Sequence, residues 1–141
     1  MFVPDVILAA CVLAATVVVG LIAHEYAHAL SLRLAGVEYT IEYFPDRADG
    51  VVATLASCRW AHVRSRPTGT ERPWILRAAA LMPLTLAVPV LALGLGGYLP
   101  IGDRPLVAAA AIGWLACAIP SPQDFSVAFY AHRVLENADD G

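Results

Sequence analysis

Eighteen consecutive residues, Val6 to Ala23, carry no charge, and Thr16 is the one hydroxyl among them. A helix over this run and onward to Leu34 is long enough to cross about 30 Å of hydrocarbon. Two more uncharged runs follow, Ala78 to Gly102 with twenty-five residues and Pro105 to Gln123 with nineteen. Pro83 and Pro89 fall inside the second run, and proline is tolerated in a span where neighbouring groups satisfy the freed carbonyls. These runs predict an α-helical integral membrane protein with about three transmembrane helices, over roughly residues 6–34, 74–98 and 105–120.

Composition agrees. The 141 residues are 59% hydrophobic and 15% charged, with a mean hydropathy of +0.66, whereas soluble domains run near 45–50% and about 25%. This excludes intrinsic disorder. A net charge of −3 with no basic block excludes a nucleic-acid-binding module. A cleaved signal peptide would open on a basic stretch, but this chain opens Met-Phe-Val-Pro-Asp and its apolar run is too long. Cys11, Cys58 and Cys117 are scattered without CxxC spacing, so neither a disulfide framework nor a cysteine metal site is expected.

The segment from Arg33 to Arg77 differs in kind. Val37 to Tyr43 alternates apolar and polar, the period of a half-exposed strand. Val51 to Trp60 supplies a second candidate strand, and Pro45-Asp46-Arg47-Ala48-Asp49-Gly50 a turn, so a small β-hairpin is expected over about residues 37–60. Arg64 to Thr70 reads as an irregular loop. Seven of the nine arginines lie between Arg33 and Arg77, and lysine is absent. The positive-inside rule therefore assigns this segment, hairpin included, to the cytoplasm. Three spans then bring the ends of the first and third to that same face.

There the chain reads His24-Glu25-Tyr26-Ala27-His28, an HExxH motif. Residues i and i+4 share a helix face, so two imidazoles can converge on one metal ion. Glu25 stands beside the first, placed to act as general base on an activated water. Three ionisable groups at the end of an apolar helix are expensive to bury and call for a reason. The simpler alternatives are inert side chains at headgroup level, or a haem or structural-metal pair that would not need the intervening Glu.

A catalytic zinc site usually has three protein ligands. Asp124, in Pro120-Ser121-Pro122-Gln123-Asp124, is the candidate third. The same residues read as a helix start, with Ser121 at N-cap, Pro122 at N1 and an acid at N3. Capping and ligation can coexist. A C-terminal amphipathic helix over about residues 122–137 follows, with Phe125, Ala128, Phe129, His132 and Leu135 at helical spacing. Glu42, Asp46, Asp49, His62 and His132 are the fallback ligands.

HEYAH in a first membrane helix, with Pro-Ser-Pro-Gln-Asp closing a third, resembles the site-2 protease-like intramembrane zinc metalloproteases. The resemblance implies one membrane-embedded domain over 1–141, built on a three-helix core. It implies one zinc per chain held by His24, His28 and Asp124, with Glu25 as catalytic base. The activity implied is hydrolysis of peptide bonds in a membrane-protein or peptide substrate, in or near the cell membrane at its cytoplasmic face. Two departures mark a divergent branch: Asp124 is followed by Phe125 where the family has Gly, and Met82-Pro83-Leu84-Thr85-Leu86 keeps the Pro of the second-helix motif without its Asn. No PDZ-like insertion fits between Arg33 and Arg77. The alternative function is a non-catalytic pseudoprotease or metal-binding module using the same residues.

Overall fold

The computed structural model describes residues 3–43, 61–65 and 71–139. The elements are α1 (Val3–Leu34), β1 (Tyr39–Tyr43), β2 (Ala61–Ser65), α2 (Pro73–Leu81), a 3₁₀ turn (Met82–Leu86), α3 (Ala87–Leu95), α4 (Pro105–Ala118) and α5 (Pro122–Asp139). Three stretches are long and apolar enough to cross a membrane: Val3–Leu34, Pro73–Leu95 and Pro105–Glu136. Prolines punctuate them. Pro73, Pro105 and Pro122 each open a helix, where the missing N–H costs nothing. Pro83 sits in the 3₁₀ turn between α2 and α3, as expected where the i→i−4 ladder is interrupted.

Helix α1, of 32 residues, outruns the hydrocarbon core of about 30 Å, since at about 1.5 Å per residue it is roughly 48 Å long. Its flanks expose Val6, Ile7, Val18, Val19 and Ile22. In water such a surface would be an aggregation liability; in lipid it is the expected exterior. The helix ends in a Schellman motif. Val37 N–H donates to Leu32 O at 3.0 Å and Gly36 N–H to Arg33 O at 3.2 Å, with Gly36 at φ 72°. Leu32 and Val37, the apolar pair that accompanies this motif, are both buried in one core cluster.

The described chain forms two compact units, 1–24 with 83–119, and 25–82 with 120–141. In the first, α1 and α4 meet over small residues. A Cβ built on Gly20 would lie 2.8 Å from both Cβ and Sγ of Cys117, and one on Gly113 would lie 3.1 Å from Leu13 O. Close backbone approach through small residues is how membrane helices gain packing without a hydrophobic driving force. Trp114 Nε1 donates to Leu86 O at 2.7 Å, tying α4 to the 3₁₀ turn. Gly20→Ala should lower stability by about 0.5–2 kcal/mol, because overpacking (about 1–3) outweighs the gain in helix propensity (about 0.5–1). Gly94→Ala, where a Cβ meets nothing within 4 Å, should raise it. Thermal unfolding of both variants in detergent checks the contrast.

In the second unit, Leu32, Val37, Leu76, Ala79, Ala131 and Leu135 form the core. Helices α2 and α5 pack together there. Strands β1 and β2 pair antiparallel, with Tyr39 opposite Ser65 and Ile41 opposite Val63. This corrects one expectation. The observed partner of β1 is 61–65, so Arg64 and Ser65 are strand, not loop; the strand expected at 51–60 lies outside the described residues. On α5, the inward stripe is Val127, Ala131, Val134 and Leu135, while Phe125 and Phe129 are exposed and stack at 6.3 Å. Helical periodicity identifies apolar stripes but does not say which meets protein and which meets lipid.

Candidate metal centre

The HExxH motif lies in the last third of α1, where about twenty residues of span have already been used. His24 and His28 are buried, at 7% and 8% exposure. They are the only buried polar or charged residues among those described, and burial of such groups requires partners. Each ring has one. His28 Nδ1 lies 2.8 Å from Ala79 O, and His24 Nδ1 lies 2.7 Å from Cys117 O. A carbonyl can only accept, so both Nδ1 atoms carry the proton, and in the neutral rings Nε2 keeps its lone pair for a metal. Metal-ligating histidines are oriented in this way.

Asp124 comes from the first turn of α5. Ser121 N–H donates to Asp124 Oδ2 at 2.7 Å, and Asp124 N–H donates to Ser121 Oγ at 3.2 Å. This reciprocal pair is a capping box with Asp in place of Glu. It fixes the carboxylate through one oxygen and leaves the other to point elsewhere. That other oxygen, Oδ1, is 3.2 Å from His28 Nε2. The capping and ligand roles therefore fall on different oxygens of one side chain.

His24 closes the first unit and Glu25 opens the second, but α1 runs unbroken through both. The helix alone sets His24 one turn before His28. One ligand atom from each of His24, His28 and Asp124 lies within 4.8 Å of the other two. Two imidazoles and a carboxylate suit zinc, and with bonds of about 2.0–2.1 Å a tetrahedral site has edges of about 3.3 Å. The observed 3.2 Å edge between His28 and Asp124 fits. Without an ion, the same spacing is a hydrogen bond only where Nε2 also carries a proton, since the carboxylate oxygen can only accept.

Beside His28 and Asp124 is a cavity of about 110 Å³, lined also by Glu25, Val63, Leu76 and Gln123. Glu25 reaches across to strand β2, where Val63 N–H donates to its Oε2 at 3.0 Å. One carboxylate oxygen of Glu25 is thus anchored while Oε1 is not part of that bond. The sequence reading missed Val63, because it assigned no strand there. Of the fallback ligands, His132 is exposed on α5, Glu42 and His62 sit opposite each other in the sheet register, and Asp46 and Asp49 lie outside the described residues. No family model, curated protein or solved structure matches the chain.

Proposed function

We propose that the protein is a zinc-dependent peptidase of the membrane, of the site-2 protease-like kind, cleaving peptide bonds near the cytoplasmic face. The observation that carries this reading is the grouping of His24, His28 and Asp124 with Glu25 on a shared cavity beside His28 and Asp124. A structural metal site has no use for an additional carboxylate facing the cavity; a hydrolase does. Three stretches long and apolar enough to cross a membrane support a site within or beside the bilayer, and the arginine bias of 33–77 favours the cytoplasmic side.

His24, His28 and Asp124 would hold the ion, which when bound supplies a Lewis acid that activates water and polarises a carbonyl. Glu25 Oε1 accepts the proton of the attacking water and passes it to the leaving amine. Val63 N–H, on Oε2, keeps the carboxylate aimed during both transfers. The buried imidazoles, each braced through Nδ1, cannot rotate without losing a carbonyl partner.

The test is hydrolysis. Purified protein in liposomes, offered a pool of membrane-derived peptides, should produce cleavage that a chelator abolishes and added zinc restores. Absence of cleavage from a zinc-loaded preparation across that pool would favour the non-catalytic alternative.

A further inference from the structure

We propose that Pro83 and Pro120 are positioning residues of the metal centre, reserving the two backbone carbonyls that orient His28 and His24. The proposal rests on the metal-site reading above and extends it to residues outside the ligand set.

What the two prolines change is the supply of backbone hydrogen-bond donors. In a regular helix the carbonyl of residue i receives the N–H of residue i+4, or of i+3 where the last turn tightens. The carbonyl that orients His28 belongs to Ala79, and four residues on is Pro83, which has no N–H. Ala79 O takes only the tighter bond from Met82 N–H. A carbonyl has two acceptor sites, so one remains for the imidazole. The missing α-helical donor and the bulk of the proline ring open this side of the carbonyl to His28.

The carbonyl that orients His24 belongs to Cys117, and three residues on is Pro120, again with no N–H. Four residues on is Ser121, whose N–H goes instead to Asp124 Oδ2 at 2.7 Å. Helix α4 ends at Ala118, and neither helical donor competes with His24. Asp124 therefore acts on the site twice, once through Oδ1 beside His28 and once by diverting Ser121 N–H. Both histidines depend on a proline for the same reason, at two separate places in the chain. In an ordinary transmembrane helix interior each carbonyl is already engaged by the N–H four residues on, which crowds the approach of a ring from a neighbouring helix to its second acceptor site.

Pro83→Ala and Pro120→Ala restore an N–H at each position, and alanine is the best helix former, so neither change should prevent folding. Pro89→Ala is the control, since the carbonyl four residues before it is that of Thr85, not of Ala79 or Cys117. Zinc dissociation constants from chelator competition should weaken by about ten- to a hundredfold in Pro83→Ala and in Pro120→Ala, the usual effect of losing an outer-shell partner. Pro89→Ala should stay near wild type. A second readout needs no metal. The His28 Nδ1–H proton, held against Ala79 O, should give an exchange-protected downfield NMR signal in wild type, with and without zinc. In Pro83→Ala that signal should broaden or vanish, while the His24 signal persists; Pro120→Ala should show the reverse. Unchanged imidazole signals in both variants, or an equal loss of zinc affinity in Pro89→Ala, would overturn the proposal. If the imidazole signals respond as stated but wild type binds no zinc, it is the metal reading that fails, and the orienting role of the prolines stands.

Discussion

Glu25→Gln should retain zinc and lose turnover by about two to four orders of magnitude, the usual contribution of a positioned general base. The amide is isosteric, and its carbonyl oxygen can still accept the Val63 N–H that now bonds Oε2. The cavity shared with His28 and Asp124 should therefore keep its shape. What the amide cannot do is take a proton from water at neutral pH. Peptide cleavage and metal content measured on the same preparation separate the two effects. A variant that cleaves as fast as wild type would remove Glu25 from the chemistry; one that loses zinc would make Glu25 part of the metal scaffold.

The second large effect is at Asp124, where two roles can be pulled apart. Zinc held by four ligands is worth about 10–16 kcal/mol in small sites, so an equal share per ligand is about 3 kcal/mol, or roughly a hundredfold in affinity. Asp124→Asn should cost about that much affinity, because a neutral amide is a poorer zinc ligand than a carboxylate. It should cost under about 1 kcal/mol of metal-free stability, since the amide oxygen still accepts a hydrogen bond at the helix start. Ser121→Ala should show the opposite profile. It deletes the Oγ that receives Asp124 N–H, with a stability loss of about 0.5–2 kcal/mol, and leaves the carboxylate oxygen beside His28. Zinc titration and thermal unfolding of the two variants check this crossing pattern. Equal zinc affinity in Asp124→Asn and wild type would reduce Asp124 to a cap.

The dual reading of Asp124 was available from the chain itself, because Ser121-Pro122-Gln123-Asp124 spells a helix start and HExxH leaves a ligand to be found. The pairing of His24 with His28 was equally legible, being a consequence of helical spacing. Strand β2 was not. Its residues, Ala61 to Ser65, run into an Arg-, Pro- and Gly-containing stretch, and the stronger turn signal at 45–50 drew the expected partner strand to 51–60. Which stripe of α5 meets protein was not legible for a different reason: beside a bilayer, both protein and lipid reward apolar surface, and Phe125 and Phe129 are exposed. The orienting partners of the histidines are backbone carbonyls, which every residue has, so no side chain announces them. Only the positions of Pro83 and Pro120 carry a trace of them.

The central claim is that His24, His28 and Asp124 hold one zinc ion between them. Metal analysis of purified protein tests it most directly, with wild type beside His24→Ala, His28→Ala and Asp124→Ala after dialysis against a weak chelator. One zinc per chain in wild type, and little or none in each of the three variants while they remain folded, is the expected result. Zinc held equally by all four proteins, or absent from all four, would contradict it.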